Sequence, residues 1–344
     1  MSQVMNLADI RPDKPMQSLF VERQKMIERC GELFIEQPEN FITNEACPLC
    51  GSEECSEYGV KGFTRYMRCA CCELLYLERE PKDCLRFGPI TASPAADVAV
   101  EAVQATTYET RKVKKFGAVL DRLMEIADPR EPLRVLDIGC GSGYFLDLLR
   151  DRTAWTGLGV ELNDKAVRTA RARGLQIVQE PIALFQPDQL FDILVCVGVL
   201  GHISRPERMA LDCHRLLKDG GLMLVRTPNY AGFEMQVVDM QHNHFDPMET
   251  MVVHNIASMK MFLEKGGFEA MEISTPGLLD VEIVRQQVRV FGCELEAGRF
   301  EKRLIFEESP EMETARHEFS RFLVNNNMSG LMQAVARKIP AQVG

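Results

Sequence analysis

A chain of 344 residues has room for one full α/β domain and an accessory module. Hydrophobic residues make up 46% and charged residues 26%, as in a globular protein; no basic, apolar leader or long uninterrupted apolar run points to secretion or membrane spanning, so the cytoplasm is the expected compartment. The net charge of -10 argues against nucleic acid as a partner, because a polyanion binder needs a basic footprint, although a local patch would still be compatible with it.

Taken in chain order, residues 1–43 read as a helical leader, centred on Met16 to Glu36, whose role the sequence does not disclose. Residues 44–80 carry Cys47-Pro48-Leu49-Cys50 and Cys69-Ala70-Cys71-Cys72, two C-x2-C pairs separated by 18 residues. That spacing suits two knuckles presenting four thiolates, Cys47, Cys50, Cys69 and Cys72, tetrahedrally to Zn²⁺, with Tyr58 to Arg68 patterned as the strands of a zinc ribbon. Cys55 and Cys71 are alternative ligands, the latter only after a register change, and plain reduced cysteines are the other reading. A disulfide framework does not fit a chain without a secretory signal. Four thiolates leave a metal no open position, so zinc is assigned a folding role. Residues 81–132 form a linker with Pro81, Pro89 and Pro94, followed by a helix from about Thr107 to Ala127.

Residues 133–274 read as alternating strands and helices. Val135 to Leu146 is an apolar run that ends in Asp137, passes Gly139, Gly141 and Gly143, and resumes as an amphipathic segment: strand, tight turn, helix start. Glycine lets such a turn close on a ligand, and the helix N-terminus offers free amides. A dinucleotide fingerprint would require a third glycine at 144 or 146, where Tyr144 and Leu146 stand instead. Further strands are expected at Thr156 to Glu161, Leu175 to Glu180, Phe191 to Val199 and Leu222 to Arg226. A helix from Pro206 to Leu217 and a Lys218-Asp219-Gly220-Gly221 turn precede the last of these. Asp137 and Glu161 taken singly also fit ordinary polar residues at strand ends; it is the ordered array that singles them out.

The D-x-G-x-G-x-G pattern resembles motif I of the class I S-adenosylmethionine-dependent methyltransferases. The resemblance implies a Rossmann-like seven-stranded α/β sheet whose loop at Gly139, Gly141 and Gly143 wraps the methionine end of the cofactor. It also implies Asp137 as a cofactor-site residue, Glu161 on the ribose hydroxyls, Glu180 at the adenine amino group, and Tyr108 approaching from a helix laid over the pocket. Leu200-Gly201-His202-Ile203 is similar to the family's L-E-H-[IVL], with Gly201 replacing the acid, and the Lys218 to Gly221 turn is similar to L-K-P-G-G. The four-cysteine module, Thr227-Pro228-Asn229 and Phe262 to Phe268 resemble bacterial zinc-ribbon methyltransferases, some acting on nucleotide-linked sugars or glycan precursors. On that pattern 275–330 is a largely helical insertion, and 331–344 holds the closing strand and tail. One departure stands out: relatives carry E-H-x-x-[FY]-F where this chain has Glu249 and Thr250, so the histidine is missing, with His242, His244 and His254 nearby. The short tail departs too, and together they argue against C-methylation of a sugar.

Methyl transfer from a sulfonium is an in-line displacement that mainly requires alignment and exclusion of water. An oxygen nucleophile benefits from a general base, for which His202 is placed best, with Tyr230 and Glu249 behind it. The expected activity is therefore O-methylation of a small-molecule acceptor: a sugar, glycan precursor or secondary metabolite. Two alternatives stand beside it. One is an RNA methyltransferase gripping RNA with the ribbon, which would need a basic face built from Lys61, Arg65, Arg68 and Arg79. The other is a non-catalytic cofactor-binding interaction protein. Acceptor, methylated atom and oligomeric state are not fixed by the sequence.

Overall fold

The computed structural model describes residues 7–9, 11–86 and 94–340. Part of the expected linker, including Pro89, lies outside them. In chain order the elements begin with α1 (Asp13–Glu36), β1 (Phe41–Thr43), β2 (Cys55–Lys61), β3 (Thr64–Cys69), β4 (Leu75–Leu77), β5 (Arg79–Pro81), α2 (Asp83–Arg86) and α3 (Pro94–Ile126). An alternating stretch follows: β6 (Arg134–Ile138), α4 (Tyr144–Arg152), β7 (Thr156–Val160), α5 (Asp164–Ala172), β8 (Ile177–Val178), β9 (Phe191–Val197), α6 (Pro206–Leu216) and β10 (Leu217–Pro228). The remainder comprises α7 (Phe233–Val238), β11 (Val252–Val253), α8 (Ile256–Lys265), β12 (Phe268–Ser274), α9 (Asp280–Phe291), α10 (Arg299–Phe306), α11 (Pro310–Asn325) and β13 (Leu331–Lys338). These fold into two compact units: Met1–Thr107, Pro228–Ser258 and Ser274–Met332 in the first, and Tyr108–Thr227, Met259–Ile273 and Gln333–Gly344 in the second.

The second unit is built on a seven-stranded sheet with the order β12-β13-β10-β9-β6-β7-β8. Strands β8, β7, β6, β9 and β10 pair in parallel, and the order reverses between β6 and β9. Such a reversal opens a crevice beyond the strands' carboxyl ends, where doubly wound sheets take their ligands. The strands are apolar because both faces are covered. On α3, Phe116, Val119, Leu120 and Leu123 form a helical stripe that packs on Val135, Ile193, Val195 and Leu224 of the sheet. Complete burial of each such aliphatic side chain is worth about 1.5–3 kcal/mol. The third strand is shorter than expected, because only Ile177 and Val178 pair with β7 before the chain turns away; the fifth is longer, running through the Lys-Asp-Gly-Gly stretch with a register shift between Leu217 and Leu222. Lys338, buried on β13, secures that stretch by donating to the Leu217 carbonyl at 2.8 Å and pairing with Asp219 at 3.2 Å.

The first unit departs from the expected linear division. The 44–80 ribbon is a β2–β3 hairpin extended by β4, but β11 from 228–258 completes its sheet, with Val252 opposite Tyr76. Residues 228–258, expected in the catalytic core, therefore pack with the ribbon. The 275–330 segment is helical as expected, and the leader has a visible purpose. Ile27, Cys30 and Leu33 of α1 pack on Phe41, Leu85 and Met248, and its Phe20 meets Phe291 of α9 at 4.9 Å. Arg23 of α1 spans Asp246 at 2.7 Å and Glu249 at 2.6 Å.

Candidate functional site

In the second unit the chain leaves β6 through a glycine turn and enters α4. Gly139, Gly141 and Gly143 all have positive φ, at 65°, 54° and 84°, so each sits where a side chain is strained. Their surroundings differ. A Cβ on Gly139 would lie 2.3 Å from Val199 Cγ2, and one on Gly143 would lie 2.2 Å from Leu175 Cδ1, whereas one on Gly141 would meet open space. Two of the glycines thus serve close packing, and Gly141 faces the volume a ligand can enter.

Asp137, on β6, and Glu161, just past β7, stand on either side of this turn. Burial, with the Glu161 carboxylate beside it, pushes the Asp137 carboxyl well above the usual range. Glu161 Oε2 accepts the Gly141 amide at 2.8 Å, and its Oε1 accepts the amides of Leu162 and Asn163, both at 2.8 Å. The carboxylate is thereby held at the mouth of the glycine turn, where its remaining lone pairs suit hydroxyl donors. Two close carboxyls, one buried, also favour a cationic or hydrogen-bond-donating ligand over an anion.

Tyr108 does come close to this region, although its hydroxyl is committed. It donates to Asp147 on α4 at 3.0 Å, and its ring stacks on Tyr144 with centroids 4.5 Å apart. The Arg173 guanidinium covers its outer face at 3.5 Å. Phe116 continues the stack on Tyr144 at 5.8 Å. Tyr108 therefore braces the helix behind the turn, a role the sequence reading had not given it. Glu180 is half-buried two residues beyond β8. His202 is exposed in a single 3-10 turn that follows β9, its amide bonded to the Val199 carbonyl at 2.8 Å.

Tyr230 and Glu249 lie in the first unit, and the structure gives both of them structural partners. The Tyr230 hydroxyl donates to the Glu73 carbonyl at 2.7 Å and receives Asn255 Nδ2 at 3.2 Å; burial pushes it up to about 12, which makes it a poor proton acceptor. Glu249 is paired with Arg23. Of the nearby histidines, His242 and His254 are fully buried and held neutral by desolvation.

The four cysteines converge as their spacing requires. The sulfurs of Cys47, Cys50, Cys69 and Cys72 all lie within 4.8 Å of one another, with Cys47–Cys72 and Cys50–Cys69 each at 3.5 Å. These separations and an all-sulfur donor set fit a tetrahedral thiolate site for a metal such as zinc. The Cys47 and Cys72 thiols share one contact, which lowers the first and raises the second, so the pair holds a proton between them that a metal would displace. Cys55 and the exposed Cys71 are outside the cluster, so neither register change nor substitution is needed.

Comparison with known proteins agrees with this geometry. Residues 109–273 match a methyltransferase domain model. A protein of Mycolicibacterium smegmatis named probable S-adenosylmethionine-dependent methyltransferase is 33% identical over 138 residues, which cover 39% of this chain and 51% of that one. The ubiquinone biosynthesis O-methyltransferase of Pseudomonas aeruginosa is 33% identical over 105 residues, covering 28% and 44% respectively. The chain thus spans about half the length of the curated relatives it matches. Among solved structures, an S-adenosylmethionine-dependent methyltransferase from Mesorhizobium loti aligns with a TM-score of 0.43 at 16% identity, covering 63% of this chain and 96% of the other. Residues 109–273 are a methyltransferase domain, and over part of it the chain is similar to S-adenosylmethionine-dependent methyltransferases.

Proposed function

We propose that the chain is a cytoplasmic enzyme that methylates an oxygen atom of a small-molecule acceptor, a sugar, glycan precursor or secondary metabolite, with zinc as a structural element of its first unit. The observation that carries the enzymatic reading is the pairing of Asp137 and Glu161 across a glycine turn whose Gly141 faces open space. The similarity to a relative named as an O-methyltransferase favours oxygen as the methylated atom.

S-adenosylmethionine supplies a methyl group on a sulfonium, from which the sulfur departs neutral. The chain's own work is then largely positional. Glu161 holds hydroxyl donors, and the glycine turn lets backbone approach the cofactor closely. Asp137 offers a buried acceptor whose ionised form a cationic group would stabilise. His202, exposed just beyond the carboxyl end of β9, takes the proton that the acceptor hydroxyl releases.

The RNA reading loses its main support at the ribbon. Arg65 is paired with Glu78 and Glu57, Arg68 with Glu73, Lys61 donates to the Met240 carbonyl, and Arg79 lies over the Phe34 ring. These four basic residues do not form a free cationic face.

The test is S-adenosylhomocysteine release with nucleotide sugars and phenolic metabolites as acceptors, for the wild type and His202→Ala. The proposal expects turnover on one acceptor class and a loss of about 10²–10⁴-fold in the variant, the span of one general base. Turnover on RNA alone would overturn the acceptor assignment, and full activity in the variant would remove His202 from the mechanism.

A further inference from the structure

Two residues of the second unit, Gln333 and Lys115, hold one buried cation, Arg226. Arg226 lies near the carboxyl end of β10, opposite Val197, the last residue of β9, and its carbonyl accepts the Gly198 amide at 2.8 Å as β9 leaves the sheet. The residue is only 7% exposed. Its guanidinium meets neutral groups: Gln333 Oε1 on β13, from Nε at 3.1 Å and Nη2 at 2.5 Å, and the Lys115 carbonyl of α3, from Nη1 at 3.2 Å. No carboxylate pairs with it among the described residues. Desolvation accordingly lowers its pKa to about 10, with no opposing charge to restore it.

A buried charge without a counter-charge is costly, so its retention calls for a reason. The half-buried Arg23 and the buried Arg316 are each met by negative charge. Arg23 has two carboxylates. Arg316 donates to the Leu304 and Glu307 carbonyls at the carboxyl end of α10, where the helix dipole supplies negative charge. The Lys115 carbonyl is in the middle of α3 and offers no such compensation. Of the five guanidinium N–H groups, three are used, and the two left are one on each terminal nitrogen. One N–H left on each terminal nitrogen gives the donor pair that a carboxylate takes in a two-pronged bond, which would cancel the charge.

We propose that Arg226 is an acceptor-recognition residue, and that the molecule to be methylated carries a carboxylate which this guanidinium receives. The inference rests on the methyltransferase reading and adds the acceptor's chemical class to it. A carboxylate brought to the carboxyl edge of β10 is anchored beside the crevice between β6 and β9, leaving the rest of the acceptor to present its hydroxyl.

The test is calorimetry on the full chain with S-adenosylmethionine present, titrating benzoate and, separately, its neutral counterpart benzamide. Wild type binds benzoate about tenfold or more tighter, the span of one charge-assisted contact. Arg226→Met combined with Gln333→Leu removes the preference and raises the Tm of the ligand-free protein, because an uncompensated charge has left the interior. Arg226→Lys keeps a weakened preference. Equal affinities for benzoate and benzamide in wild type overturn the proposal without any variant being needed. So does a preference that survives in the double variant, or a double variant with lower Tm and unchanged discrimination, which would make Arg226 a structural tie between β10, β13 and α3. The cofactor isotherm is recorded on the same samples. Failure of the methyltransferase reading would show as a missing cofactor isotherm, and failure of the anion site as matching benzoate and benzamide curves.

Discussion

Gly139 and Gly141 differ by two positions and by what surrounds them, and the difference predicts opposite phenotypes. Gly139→Ala drives a Cβ against Val199 at a φ of 65° and should cost about 1–3 kcal/mol of stability, read by thermal unfolding. Gly141→Ala meets no neighbour, so it should cost less stability but lose cofactor affinity by filling the ligand's space. If Gly141→Ala bound S-adenosylmethionine as tightly as wild type, the ligand would not lie against that turn. Asp137→Ala should abolish cofactor binding and leave the fold largely intact. At this scale the sequence was informative wherever function depends on local spacing: three glycines, one acid before them and one 24 residues later. It was silent wherever a side chain's partner comes from far along the chain. Tyr230 gained its role from Glu73, 157 residues away, and Glu249 from Arg23, 226 residues away. Arg226 looked like an ordinary strand end until the fold surrounded it with neutral partners.

Helices and strands show the same division. The alternating elements from β6 to β10 were legible because buried parallel strands are apolar runs and their helices amphipathic. The short β8 and the extended β10 were not, since both depend on pairing with neighbours. In the first unit, Glu234 on α7 is buried near Asp280 of α9, and its carboxyl is pushed up to about 8 chiefly by desolvation. The folded protein therefore holds a proton that the unfolded chain releases near 4.5. Stability is full below that lower value and declines as pH rises to about 8, with a slope of up to ~1.4 kcal/mol per pH unit from this group. Glu234→Gln should flatten denaturant-derived stability across that window, and an unchanged slope would remove the group from the account. Arg23→Ala should cost about 3 kcal/mol, because Asp246 would keep a buried charge without its partner. A change under 0.5 kcal/mol in chemical denaturation would mean that α1 is held by its apolar face alone.

Across the whole molecule, chain order and compact units do not coincide. The ribbon, the 228–258 segment and the helices of 274–332 form one unit although more than a hundred residues separate the ribbon from the other two, and no periodicity along the sequence announces such a grouping. The thiolate cluster sits in this unit, so Cys47→Ser with Cys50→Ser should release bound zinc and destabilise it, while the sheet of the second unit keeps its own core. About one zinc per chain is expected by elemental analysis of reduced protein, and none would contradict the site. No helix of the described residues is long and apolar enough to cross a membrane. The central claim is that the crevice where the strand order reverses holds S-adenosylmethionine. Calorimetric titration of the purified protein with that cofactor, and with NAD in parallel, tests it most directly. The account predicts micromolar affinity for the sulfonium compound, abolished in Asp137→Ala, and no response to NAD; binding of NAD instead, or cofactor binding untouched by that substitution, would contradict it.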